Sequence, residues 1–173
     1  MLPAGTPADP DLRECLLGAI PALRAFAHAL TDDGARGDDL VQDALLRAWS
    51  GADGAGDRDA TAWLFTILRA RFYAERRQRP RVGPRKREGL RPDPPERRRE
   101  SVRPDRSETV RFREALRRLP DAQREALILV GGQRFTYGEA AAICGVAVGT
   151  LKSRVARARA RLAAELERRP PRP

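Results

Sequence analysis

Apolar residues along this chain recur at intervals of three and four, and runs that alternate apolar with polar positions are scarce. The first pattern buries one face of an α-helix, whereas the second would build a half-buried strand. The chain is therefore expected to be all-α. Asp9 followed by Pro10 has the form of a helix cap with proline at the first helical position. A first helix is expected to run to about Gly18, and Pro21 to open a second that ends near Thr31. Asp38 or Asp39 caps a third, whose apolar face holds Leu40, Ala44 (or Val41), Leu45, Ala48 and Trp49. A fourth spans residues 61–78 and buries Trp63, Leu64, Ile67, Leu68 and Phe72. Ser107 caps a fifth. Pro120 breaks it and starts the next, PDAQREALILVGG.

Residues 136–166, TYGEAAAICGVAVGTLKSRVARARARLAAEL, carry the most specific pattern. Thr136 and Glu139 have capping-box spacing, which satisfies free amides at a helix start. Gly145 falls where a short helix must stop and turn, and glycine accepts the positive φ of such a cap. Ala140, Ala141 and Ala142 let a second helix cross closely. In that second helix Val148, Leu151, Val155 and Leu162 are spaced to face a core. Lys152, Ser153, Ala156, Arg157 and Arg159 lie off the stripe, mostly in one outward sector. This is the pattern of a helix-turn-helix whose second helix enters the major groove of duplex DNA.

Charge divides the chain. Residues 1–60 hold 5 basic and 11 acidic side chains, residues 61–106 hold 15 and 6, and residues 107–173 hold 14 and 7. The basic remainder suits phosphates, where each neutralised charge releases counterions. The acidic head would be repelled by DNA and suits a basic protein surface. Residues 79–106 contain 11 basic residues and 6 prolines with almost no apolar content, so they are expected to form a flexible linker. The expected boundaries are a first domain at 1–80, a linker at 81–106, a second domain at 107–168 and a tail at 169–173.

Cys15 and Cys144 are too few and too far apart in sequence for a disulfide framework or metal cluster, and read as small buried hydrophobes. The N-terminus lacks the basic start and apolar core of a secretory leader, and no run approaches 18 apolar residues. The expected location is the cytoplasm. No nucleophile–base pair and no metal-ligand cluster is visible, and the single histidine, His28, reads as a packing residue. No enzyme activity, no metal and no cofactor are expected.

Two further stretches carry chemistry. ILRARFYAERRQR interleaves aromatics with arginines. Arg69, Phe72, Tyr73, Arg76 and Arg77 are expected along a partly exposed strip, where aromatic faces stack on unpaired bases and arginines hold the backbone. In the third helix Asp39, Gln42, Asp43 and Leu46 share one face, an acidic-polar stripe suited to a basic helical partner.

In this order the segments resemble the extracytoplasmic-function (ECF) class of RNA polymerase sigma factors. DDLVQDALLRAW looks like that family's polymerase-clamp-binding helix. TAWLFTILRARFYAERRQR resembles its promoter-melting and −10 recognition helix. LRRLPDAQREALILV with FTYGEAAAICGVAVGTLKSRVARARARL is similar to the domain that reads the −35 element. The wording REALILVGG…FTYGEAAAICGVAVGTLKSR is nearest the general stress response subgroup. The resemblance implies two small helical domains, sigma regions 2 and 4. It implies Asp39, Leu40, Gln42, Asp43 and Leu46 as contacts to core polymerase (its β and β′ subunits). It implies Arg69, Phe72, Tyr73, Arg76 and Arg77 at the −10 element, and Lys152, Ser153, Ala156, Arg157 and Arg159 at the −35 duplex. Leu127, Ile128 and Val130 would pack the second domain and meet the polymerase flap. A small helical anti-sigma factor is the implied regulator. The chain departs from the family at Ala70, where an asparagine is usual.

Two rival readings use fewer of these segments. A sigma mimic would bind an anti-sigma factor but no promoter, and would have no need of a basic recognition helix. A one-component helix-turn-helix regulator would leave the third helix and the aromatic-basic helix without a role.

Overall fold

The computed structural model describes residues 10–31, 33–50, 59–78 and 106–168. The expected Asp9 cap, most of the loop at 51–59, nearly all of the linker and the tail lie outside the described residues. The described residues form seven helices and no strand, as the spacing of apolar positions predicts: α1 (Pro10–Thr31), α2 (Gly34–Ser50), α3 (Ala60–Gln78), α4 (Arg106–Arg118), α5 (Asp121–Leu127), α6 (Tyr137–Cys144) and α7 (Val148–Glu167). A π-helical turn, Ile128–Gly132, extends α5.

Three expected boundaries move. The break between Gly18 and Pro21 does not occur, and α1 runs through Pro21 as one helix. Proline removes one backbone hydrogen bond and crowds the preceding turn. Here Pro21 faces solvent, while Leu16, Ala19, Leu23, Phe26, Ala27 and Leu30 bury the opposite face continuously. Packing on both sides of the proline holds the helix together. Helix α2 starts at Gly34 rather than after Asp38. Asp33 takes the capping role: its carboxylate accepts from the Arg36 amide at 3.3 Å and its carbonyl from Gly37 at 2.9 Å. Asp38 instead pairs with Arg24 at 3.0 Å and His28 at 3.1 Å. Helix α3 begins one residue early because Asp59 accepts from the amides of Thr61 and Ala62.

Helices α1, α2 and α3 pack around Leu23, Phe26, Leu40, Leu64, Phe65, Leu68 and Phe72, all at most 1% exposed. The α1–α2 crossing is tight at Gly37, where an added Cβ would lie 2.3 Å from the His28 ring. Trp49 was expected in this core but is 47% exposed. Helices α4–α7 form the second group, centred on Leu129, Ile143, Leu151 and Val155. Arg118 pairs with Glu165 at 2.6 Å and Arg111 donates to the Leu166 carbonyl at 2.7 Å, fastening α4 along the end of α7.

The helix-turn-helix follows its sequence signals closely. Thr136 and Glu139 form the reciprocal capping box, and Gly145 closes α6 at φ 62°. The apolar stripe of α7 is Leu151, Val155 and Ala158, with Leu162 half-buried. Val148, expected on it, is the first residue of the helix and is 42% exposed.

Two stability outcomes follow. A Cβ at Gly145 would meet nothing within 4 Å, so Gly145→Ala should cost only the left-handed backbone penalty, roughly 1 kcal/mol. Chemical denaturation of the full chain should show that loss, with Gly145→Asn costing less. Phe72→Ala should cost far more, about 3–5 kcal/mol, because it empties a fully buried aromatic site.

Candidate nucleic-acid and partner interfaces

Helix α7 presents a basic surface free of packing duties. Lys152, Ala156, Arg157 and Arg159 are exposed and Ser153 is half-exposed, while the opposite stripe is in the core. The ammonium of Lys152 lies 5.9 Å from the centre of the Tyr137 ring at the start of α6. The five residues singled out from the sequence therefore lie on the outward side of one helix. Arginine forks there can meet guanine edges or phosphates.

Helix α2 carries a second surface. Asp39, Gln42 and Leu46 are exposed, Leu46 at 60%. Asp43 receives the Arg71 guanidinium at 2.7 Å, which ties α2 to α3. Leu40 is 1% exposed, so in this conformation it holds the helix to its core and offers a partner nothing. Sequence reading places Leu45 and Trp49 in the core and misses the groove that they form beside this face. Arg13, Leu16, Leu17, Ile20, Leu45 and Trp49 line a groove between α1 and α2. Leu17 at 57% and Trp49 at 47% leave much of their apolar surface in solvent.

The third surface is the arginine-aromatic end of α3, and it is not open. Phe72 is fully buried in the first helical group. The other members meet α5. Arg69 pairs with Glu125 at 2.5 Å, and the Tyr73 hydroxyl donates to the other oxygen of Glu125 at 3.1 Å. Arg76 pairs with Asp121 at 3.0 Å. The guanidiniums of Arg69 and Arg76 also lie over the rings of Tyr73 and Phe72, at 4.8 and 5.6 Å. Only Arg77 of the five is exposed without an ion pair among the described residues. The expected exposed strip is thus, in this conformation, the seam between the two helical groups. Arg124 adds to it by donating to the Leu30 carbonyl of α1 at 2.8 Å, and Phe65 packs edge-on to Phe135 at 5.0 Å.

The seam is dry. Glu125 is fully buried, and desolvation raises its carboxyl above the usual carboxylate range despite Arg69, Tyr73 and Arg154 acting the other way. Burial likewise raises the Tyr73 hydroxyl, with the Glu125 charge adding to it. Burial pushes the Cys144 thiol up to about 12, so it is a packed hydrophobe rather than a reactive thiol. A sequence signal for the seam exists. Glu125 sits four residues before Leu129, on the buried side of its helix, where a charge needs a partner from elsewhere.

Among the described residues no group of His, Cys, Asp and Glu could hold a metal ion, and no helix is long and apolar enough to cross a membrane.

Comparison with known proteins agrees with this architecture. The Sigma-70 region 2 family matches residues 19–82, and the Sigma-70, region 4 family matches residues 109–162. The ECF RNA polymerase sigma factor EcfG of Rhodopseudomonas palustris (strain TIE-1) is 46% identical over 165 residues, spanning 92% of this chain and 87% of that protein. SigC of Mycobacterium tuberculosis (strain CDC 1551 / Oshkosh) is 37% identical over 82% of this chain and 76% of its own length. The sigma factor RpoE, solved in complex with the anti-sigma factor NepR from Bartonella quintana, overlays with a TM-score of 0.76 at 40% identity. That match covers 92% of this chain and 99% of RpoE. A basic helix-turn-helix joined to a three-helix domain, in the order and over the length of these relatives, places the chain in the ECF class of the sigma-70 family of RNA polymerase sigma factors.

Proposed function

We propose that this sigma factor docks on core RNA polymerase through α2 and reads a bipartite promoter with α3 and α7. The polymerase surface is Asp39, Gln42, Asp43 and Leu46, extended by the apolar groove beside Trp49. The −35 surface is Lys152, Ser153, Ala156, Arg157 and Arg159. The −10 surface is Arg69, Tyr73, Arg76 and Arg77, with Phe72 holding the helix that carries them. The observation that carries this reading is the outward basic face of α7, exposed while its opposite stripe is in the core. Phosphate contacts set register there and base-edge contacts set sequence.

The factor does no covalent chemistry of its own and works in the cytoplasm, where its polymerase is. Its regulator is a small helical anti-sigma factor. This is supported by RpoE, solved with the anti-sigma factor NepR, and by CnrH, solved with the cytosolic domain of CnrY, at 27% identity and a TM-score of 0.67. Similarity to EcfG and RpoE supports a role in stress-responsive transcription.

The test is transcription from a genomic promoter pool by purified core polymerase, with and without the protein, reading the new 5′ ends. New starts sharing paired −35 and −10 sequences are expected. Their absence, with an anti-sigma factor still bound, would establish a sigma mimic instead. Arg157→Ala should weaken discrimination at a −35 base by roughly 1–3 kcal/mol if it forms a bidentate base contact. Lys152→Ala should weaken all sequences alike and lower the salt slope by about one. Leu46→Asp, at an exposed position, should leave the fold intact and reduce affinity for core polymerase about tenfold or more. Unchanged core affinity would remove α2 from the docking surface.

A further inference from the structure

The turn that leads into the helix-turn-helix contains Arg134, the one non-glycine residue with positive φ (61°) among the described residues. Its surroundings account for that conformation. The Gln133 amide closes the π-helical turn by donating to the Ile128 carbonyl at 2.9 Å, and the Phe135 amide donates to the Leu129 carbonyl at 3.1 Å. Arg134 lies between those two donors, at the point where helices commonly end on a left-handed residue and glycine usually supplies it. Gly131 and Gly132 stand just upstream, yet neither has positive φ. An arginine at this position carries a backbone penalty that a glycine would avoid. No contact among the described residues offsets it: the Arg134 side chain is exposed and has no hydrogen bond or ion pair there. The carboxylate nearest in sequence, Glu139, is turned to the amide and hydroxyl of Thr136 instead.

The position of Arg134 says what its charge can meet. It precedes the Thr136 cap of α6 by two residues, and Tyr137 at the start of α6 has the Lys152 ammonium of α7 5.9 Å from its ring centre. The head of α6 and the basic face of α7 are therefore neighbours. When a helix-turn-helix docks, its second helix enters the major groove while the first crosses the sugar-phosphate backbone. A guanidinium at the head of the first helix then faces phosphate oxygens, which it can hold with two parallel hydrogen bonds. Resting on the reading of α7 as the −35 helix, we propose that Arg134 is a phosphate anchor. It grips the backbone beside the −35 element and fixes how α7 enters the groove, without reading sequence itself. The left-handed backbone is retained because it carries this charge to the DNA side of the turn.

The experiment uses holoenzyme assembled from core polymerase and the full chain, with a duplex promoter fragment taken from the mapped start sites. Affinity is measured over a series of salt concentrations, on that fragment and on one with an altered −35 sequence. Arg134→Gly removes the charge and suits the backbone. It should raise the denaturation midpoint of the free factor, yet weaken both fragments several-fold alike and lower the salt slope by about one. Arg134→Lys should keep the wild-type slope. A single uncharged methylphosphonate moved along the −35 backbone should cost affinity at one position in the wild type that costs nothing in Arg134→Gly. Unchanged affinity and slope in Arg134→Gly, with both lowered in Lys152→Ala, overturns the anchor and leaves the reading of α7 standing. No change in either variant overturns both. Weaker binding with an unchanged slope also overturns the anchor, because Arg134 then acts only by shaping the turn.

Discussion

The contact on which the rest depends is the buried pair of Arg69 and Glu125, capped by the Tyr73 hydroxyl. It joins a helix from each half of the chain across a stretch of more than fifty residues. A carboxylate with no exposure is costly unless a cation meets it, and removing one partner costs more than the pair contributes. The pair therefore fixes the register of α3 against α5 more than it adds stability. Arg76 with Asp121 and Arg124 with the Leu30 carbonyl follow from that register. So does the covering of the arginine-aromatic strip.

The three proposed surfaces differ in a way that follows from this seam. The basic face of α7 and the acidic face of α2 point outward, whereas Arg69 and Tyr73 of α3 meet Glu125 of α5. Electrostatics fits such an ordering. An acidic first domain has little attraction for free DNA, and a basic second domain tethered to it gains local concentration once the first has docked. Sequence-specific reading by either domain alone can then be weak while the pair together is selective.

Much of this was legible in the chain. The helix-turn-helix was, because its signals are local: a capping box, a left-handed glycine and a period of apolar residues each act within a few positions. The outward sector of α7 follows from that same period. What the sequence hid was set by packing. Pro21 was read as a break, yet the core on either side of it holds α1 straight through. Asp33 displaced Asp38 as the start of α2 because Asp38 is taken by Arg24 and His28 from a different helix. Trp49 and Val148 have core-like side chains at core-like spacing and are nonetheless exposed, since a period gives a face but not where the neighbouring helix ends. The seam was hidden for the same reason. The carboxylates of α5 and the arginines of α3 each look like solvated charges until tertiary packing brings them within 3 Å.

The most direct measurement is start-site mapping by purified core polymerase with the wild-type factor and with Arg157→Ala. The account predicts new 5′ ends that share paired −35 and −10 sequences, with the −35 preference relaxed in the variant. New starts with no shared −35 sequence, or an unchanged −35 preference in both Arg157→Ala and Lys152→Ala, would contradict it.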